Sequence, residues 1–290
     1  MNVIRGGAPA LTPADPAYDL VITNGRIVDG SGNAWFWGDV GVRRDRIATI
    51  APRHGLAAAA TKRQIDAHGQ IVAPGFIDIQ AQSYEDFMTG NGRVLSMVVQ
   101  GITTAILGEG DTPAPVNDKL LALITDSTSR RLATRFTGPH GFGQWLDFMV
   151  ARGASENVGS FVGSGTVRAF AKGAEMGAFT PAQRDSSMAM VRRAMQDGAF
   201  GVASALMYPP DNYNTTDDLI NSAKAMAPFG GVYITHMRNE GDGVLDSIDE
   251  TLAIGRAAGV PFSAEVPGQR NQCNADNRQC RPNQTGYHPA

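Results

Sequence analysis

The residues of this chain that could do chemistry recur in one setting, each just after an apolar, β-rich run. Asp78, Gln80 and Gln82 follow the first run, and Glu109 and Asp111 follow the second, in Gly108-Glu109-Gly110-Asp111. Ser164 follows the third, between two glycines, and Met207, Tyr208 and Pro209 follow the fourth. His236, Arg238 and Glu240 come after the fifth, and the sixth ends at Glu265. Carboxylates and imidazoles move protons and hold metal ions, and a guanidinium fork grips an anion. The end of a strand is where such groups can act, because α/β barrels keep their active sites at the carboxyl ends of their strands.

The runs themselves are Phe76–Ile79, Thr103–Leu107, Val158–Val162, Phe200–Leu206, Val232–Thr235 and Val260–Ala264. Helical patterns lie between them, over Pro181–Asp197 and over Gly243–Ala258, where Val244, Ile248 and Leu252 share a face. Thr180-Pro181 and Thr216-Asp217 read as helix starts, and Asp197-Gly198 as a stop. Strands alternating with helices predict parallel βαβ units, in a barrel or an open doubly wound sheet. The phosphate-binding G-x-G-x-x-G of a Rossmann sheet does not stand at a first strand–helix turn.

Before the runs, residues 1–18 read as a flexible polar lead and residues 19–73 as a small β-sandwich portion. Asn24-Gly25 predicts one hairpin turn there, and Arg44-Asp45 a second. Residues 74–266 then predict a barrel of about six strands, since a complete (β/α)₈ barrel takes about 250 residues. From residue 267 to 290 the chain is polar and without period, and is expected to be disordered.

Composition excludes several classes. Over 290 residues, 42% hydrophobic and 18% charged content suit a globule with a sizeable core. A net charge of -3 excludes a nucleic-acid surface and a polybasic membrane patch. No apolar run approaches the roughly 20 residues of a spanning helix. The first residues lack the apolar core of an export signal, so the cytoplasm is the default location. The two cysteines, Cys273 and Cys280, both lie in the polar tail, which rules out a disulfide scaffold.

The order of the motifs carries a resemblance. PGFIDIQAQS is similar to the amidohydrolase first-strand segment, in which Pro-Gly-x-Ile-Asp leads into His-x-His, and QGITTAILGEG to the second-strand segment. SFVGSGTVR, GAFGVASALMYPP and GGVYITHMRNEGDG resemble successive segments of the N-acyl-D-amino-acid deacylase family. The match runs from Asp19 to about Ala264. It implies a small β-sandwich beside an α/β, metal-dependent-hydrolase barrel, here incomplete. It also implies that one or two divalent ions, usually zinc, activate water against the amide of an N-acyl-D-amino acid.

Carried over position by position, the resemblance makes His236 the strand-five metal ligand and Glu109 a ligand in the second-strand loop. Tyr208 falls in the turn that lines the substrate pocket, and Arg238 offers a fork for the substrate carboxylate. The departures are Gln80 and Gln82 in place of the His-x-His pair, Ser164 in place of a His, and no His at the sixth strand. Amide oxygens are weaker zinc ligands than imidazole, which leaves Gln80 and Gln82 as weak candidates and favours one metal over two. Glu265 is a possible substitute carboxylate, and the general acid–base Asp of the family is expected beyond the end of the chain. His54, His68, His140 and His288 match no motif position.

Three readings stay open. One is a metal-dependent hydrolase of linear amide C–N bonds acting on a small N-acyl amino acid. Another is a catalytically impaired relative with a ligand-binding or interaction role. The third, a cyclic-amide hydrolase of hydantoinase or dihydroorotase type, is disfavoured because GAFGVASALMYPP contains no lysine to be carboxylated. An incomplete barrel exposes strand edges, so self-association is also expected.

Overall fold

The computed structural model describes residues 17–266 and 269–273. It divides into two compact units between Gly75 and Phe76. Among the described residues no helix is long and apolar enough to cross a membrane.

The first unit is one five-stranded sheet built from β1 (Tyr18–Ile27), β2 (Phe36–Arg43), β3 (Arg46–Pro52), β4 (Thr61–Asp66) and β5 (Ile71–Val72). The strand order is β3-β2-β1-β4, with β5 also paired to β1. Arg44-Asp45 joins β2 to β3, with Arg44 at φ 56°. Asn24-Gly25 is not the expected turn: β1 runs straight through it, and the register to β2 slips between Ile22 and Gly25. Asn24 adopts φ 56°, so the pair that could have closed a hairpin makes a bulge instead. The Asp39 carboxylate holds that bulge by accepting from Asn24 N at 2.8 Å and from Leu56 N at 3.0 Å.

The second unit holds the six expected strands. They are β6 (Phe76–Asp78), β7 (Ile102–Leu107), β8 (Asn157–Ser160) continued by β9 (Val162–Gly163), β10 (Gly201–Ala205), β11 (Val232–His236) and β12 (Phe262–Val266). All neighbours pair in parallel and in sequence order, as in a barrel wall. Phe161 interrupts the third strand, yet its N–H donates to Leu107 O and Ser160 O accepts from Phe200 N, so the wall continues across the break. A thirteenth strand, β13 (Gln269–Cys273), runs antiparallel to β12. This strand falls within residues 267–290, which the sequence reads as a polar, disordered tail. The rest of that tail, with Cys280 and His288, lies outside the described residues.

Among the described residues, nine α-helices connect these strands: α1 (Tyr84–Met88), α2 (Leu95–Val98), α3 (Asp118–Leu123), α4 (Ser127–Ala133), α5 (Gly141–Arg152), α6 (Ser164–Lys172), α7 (Pro181–Gln196), α8 (Thr216–Met226) and α9 (Val244–Ala258). The chain signals that start and stop them are visible. Thr180 caps α7 in a reciprocal capping box with Gln183, and Thr215 does the same for α8 with Asp218. Gly259, in the left-handed region, ends α9.

Alternation along the strands sorts the core into two layers. Ala105, Leu107, Val202 and Tyr233 join the large cluster that includes Trp145, Met190, Leu219 and Ile254 from the helices. Ile106, Phe161, Ala203 and Ile234 form a second, smaller cluster from four successive strands. His236, two residues beyond Ile234, continues the parity of that second layer.

The α7 cap gives a simple test. Thr180→Ala should lower stability by about 1 kcal/mol, seen as a lower urea midpoint. An unchanged midpoint would mean that α7 does not depend on its capping box.

Candidate functional site

The site begins where β7 ends. Gly108 takes φ 99°, a conformation that L side chains rarely adopt, and a Cβ there would sit 2.3 Å from Phe161 O. The glycine therefore lets the chain turn sharply against the third strand and delivers Glu109 to the carboxyl end of the wall. Glu109 is buried, and the alternation of β11 brings His236 to meet it: His236 Nδ1 lies 3.1 Å from Glu109 Oε1. The other carboxylate oxygen accepts from Gln82 Nε2 at 3.1 Å. Residues 127 positions apart in the chain thus share one contact.

The far nitrogen of the ring is also engaged. His236 Nε2 lies 3.1 Å from Met207 Sδ and 3.4 Å from Glu240 Oε1, a buried oxygen with no hydrogen-bond partner. The imidazole is thus flanked by a carboxylate at each nitrogen, and a neutral ring can donate to only one of them. Tyr208 presents a half-exposed ring 5.6 Å from the His236 ring. Gln80 is held by its backbone, its N–H donating to Asp78 Oδ1 at 3.1 Å. Glu265 is the register partner of His236 on β12.

Arg238, expected as a fork for the substrate carboxylate, is hydrogen-bonded within the protein. Its Nε and Nη2 donate to the two Glu250 oxygens at 3.0 and 2.9 Å, and its Nη1 and Nη2 to the carbonyls of Asn212 and Asn214, each at 2.9 Å. The guanidinium is committed to the loop after β10 and to α9. The Glu250 pairing also raises its pKa further.

The same loop contains a residue that the sequence did not single out. Asp211, 3% exposed, accepts from Ala205 N at 2.6 Å, from Asn214 Nδ2 at 2.8 Å and from the Ser164 hydroxyl. Ser164, where the family often has a His, is therefore a structural donor here. Burial pushes the Asp211 carboxyl up to about 6, against the lowering pull of its three donors and of Arg238. An acid after Pro209-Pro210 reads as a solvated turn residue, and only packing reveals it as buried. Of the unmatched histidines, His140 pairs with Asp197 at 2.7 Å and His68 with Asp66 at 3.5 Å, both on exposed rings.

Two cavities open at this end of the wall. One, of about 330 Å³, is polar and is bounded by Gln82, Glu109 and Asp111. The other, of about 460 Å³, adjoins it and is largely apolar.

A divalent ion fits the described donors only in part. Glu109 and His236 supply a carboxylate and an imidazole on one contact, whereas positions 80 and 82 offer neutral amides. Glu240 stands at the opposite side of the ring. Among the described residues, no group of three or more His, Cys, Asp or Glu side chains converges as a metal cage, although three protein ligands are usual for catalytic zinc.

Comparison with known proteins places this geometry. No family model matches the chain. A D-aminoacylase from Alcaligenes xylosoxydans xylosoxydans is 33% identical over 262 residues, covering 88% of this chain and 52% of that protein. A solved D-aminoacylase, described for its binuclear metal centre with one-metal activation and second-metal attenuation, superposes with a TM-score of 0.74 at 30% identity, over 84% of this chain and 50% of that one. The N-acyl-D-glutamate deacylase of Bordetella bronchiseptica, solved with zinc and a phosphonate mimic of the tetrahedral intermediate, gives 0.72 at 29% identity, over 86% and 52%. This chain spans about half the length of the relatives it matches.

Two predictions follow from the geometry. Gly108→Ala should cost about 1–3 kcal/mol from backbone strain alone and should displace Glu109. A variant as stable as the parent in a urea titration would contradict the turn described. Because the folded chain holds the Asp211 proton more tightly than an unfolded chain, the stability from that site is fully present below pH 3.8 and is lost as pH rises through about 6. The loss is on the order of 3 kcal/mol. The stability difference between the parent and Asp211→Asn should therefore shift against the parent between about pH 4 and 7. A difference that does not change with pH would show that Asp211 is not a buried, proton-holding carboxyl.

Over most of its residues the chain is similar in sequence and in strand arrangement to D-aminoacylase and to N-acyl-D-aspartate and N-acyl-D-glutamate deacylases, of which it spans about half.

Proposed function

We propose that the protein is a metal-dependent hydrolase of linear amide C–N bonds that deacylates N-acyl-D-amino acids. The observation that carries this reading is the contact of Glu109 with His236 at the carboxyl ends of β7 and β11, in a chain whose relatives bear deacylase names. In this reading Glu109 and His236 hold one divalent ion, zinc, which supplies Lewis acidity and a water of lowered pKa. Gln80 and Gln82 limit the site to one ion, because neutral amides compete poorly with imidazole for zinc.

The other residues have roles of their own. Gln82 orients the Glu109 carboxylate through its amide N–H. Tyr208 lines the mouth beside His236. Arg238 positions the loop that carries Tyr208, and it does so through Asn212, Asn214 and Glu250. Glu240, its buried oxygen close to His236 Nε2, is placed to take or return a proton. The exposed apolar residues Phe76 and Ile77 on edge strand β6 support self-association through strand edges.

Gln80 and Gln82 also support a second reading, a relative that retains the cleft but has impaired catalysis. The two are separated by release of free D-amino acid from N-acetyl-D-amino acids with added zinc. Slow turnover that His236→Ala abolishes supports the hydrolase. No turnover supports the impaired relative, and turnover unaffected by His236→Ala removes the proposed site. Independently, Gln80→His with Gln82→His should raise the zinc retained after dialysis. Equal zinc content in both proteins would mean that these positions do not face the ion.

A further inference from the structure

The larger, apolar cavity has no part in the reaction as described so far. It shares Tyr84, Glu85 and Asp111 as walls with the polar cavity that contains Glu109. Its remaining wall is mainly hydrocarbon, chiefly Met88, Val116, Leu120, Leu123, Ile124 and Leu132, with Ser129 and three threonines among them, of which Thr89 donates to Glu85 O. Even its threonines offer a ligand little. Thr166 Oγ1 accepts from Thr112 N at 2.7 Å and donates to Thr112 O at 2.9 Å, while Thr112 Oγ1 donates to Ala114 O at 2.8 Å. With those polar atoms already paired, the interior favours an apolar guest over water. Its volume of about 460 Å³ falls in the range of small-molecule sites.

The wall is deliberately anchored. It is made by α3 and α4, two short helices in the connection from β7 to β8. Asn117 caps α3 by accepting from Leu120 N, and its amide donates to Phe170 O on α6. Lys119 reaches Ala171 O on the same helix. Asp126 caps α4 by accepting from Ser129 N.

We propose that this cavity is an acyl-chain site. It receives the apolar tail of an N-acyl amino acid whose amide lies beside Glu109, so the preferred substrates carry a medium or long unbranched acyl group. The inference rests on the deacylase reading and adds the acyl class to it. Charge decides which end of the substrate enters. Glu85 and Asp111 stand at the wall that the two cavities share. A free α-carboxylate is disfavoured next to them. If the amino-acid side chain filled the cavity, that carboxylate would lie at the acidic mouth, one bond from the entering chain. If the acyl chain fills it, the carboxylate stays on the far side of the amide. The acyl end is therefore the guest.

The test is equilibrium binding by calorimetry of N-acetyl-, N-hexanoyl- and N-decanoyl-D-alanine to the whole protein. Affinity should rise by up to about fourfold per added methylene, the factor for full burial of a CH₂ group. Leu123→Trp, at a partly exposed position of the wall, should flatten that rise. Val150→Trp, at an exposed position on α5 that does not line the cavity, should leave the rise intact. Leu132→Glu is a second variant for the same wall if Leu123→Trp does not fold. Equal affinity across the series, or a rise that survives the wall variants, overturns the proposal. So does a rise seen only when the long chain is carried as the amino-acid side chain of an N-acetyl substrate, or binding of free decanoate as tight as that of N-decanoyl-D-alanine. Turnover of N-acetyl-D-alanine with zinc is scored separately. Chain-length-dependent binding without turnover removes the deacylase reading and keeps the cavity, whereas turnover with flat binding does the reverse.

Discussion

The carboxyl-end rim of the wall depends on a charge taken out of water. Asp211 sits in the loop between β10 and α8 and joins three separate pieces: the end of β10 through Ala205, the start of α6 through Ser164, and its own loop through Asn214. Burying a carboxylate is unfavourable unless its oxygens are satisfied. Here three donors meet that condition, and Arg238 adds a positive charge nearby. The arrangement fixes where Met207 and Tyr208 emerge, and hence what surrounds the His236 ring. Loss of the Ala205 N–H would leave Oδ2 without its donor, whereas Oδ1 has two, from Ser164 and Asn214.

The contact of Glu109 with His236 is simpler. A carboxylate and an imidazole meet because strand alternation and one left-handed glycine aim them at each other. The neutral amide of Gln82 completes the carboxylate's partners. In this chain the first strand contributes a hydrogen-bond donor where an imidazole would contribute a lone pair to a cation.

The six strands of the wall were legible because each is an apolar run of strand length closed by glycine or polar residues. The caps of α7 and α8 were legible from Thr180 and Thr216, the latter displaced by one position to Thr215. Asn24-Gly25 misled because the same two residues serve a hairpin turn and a bulge, and only pairing with β2 distinguishes them. β13 was invisible because its five residues have no apolar alternation, and its pairing comes from the backbone of β12. The helices α1 to α4 are too short for periodicity to register. Of the site, Glu109 and His236 could be named and expected to share one cavity with Gln80 and Gln82 nearby, whereas the direct bond between them is visible only in the folded strands. Arg238 reads in the sequence either as a substrate fork or as a salt-bridged residue, and the partner, Glu250, twelve residues on, is identified only once α9 is folded.

The connection that carries α3, α4 and α5 also bears on chain entropy. Paired residues Thr104 and Asn157 are 53 positions apart, whereas Tyr233 and Phe262, paired across β11 and β12, are 29 apart. Closing the longer loop costs only about 0.5 kcal/mol more, since the penalty grows with the logarithm of length. Extra chain between neighbouring strands is therefore thermodynamically inexpensive in this architecture, provided that its ends remain pinned by the ladder. A lineage can lengthen, shorten or replace that segment, and reshape the hollow it encloses, without unsettling the wall that holds Glu109 and His236.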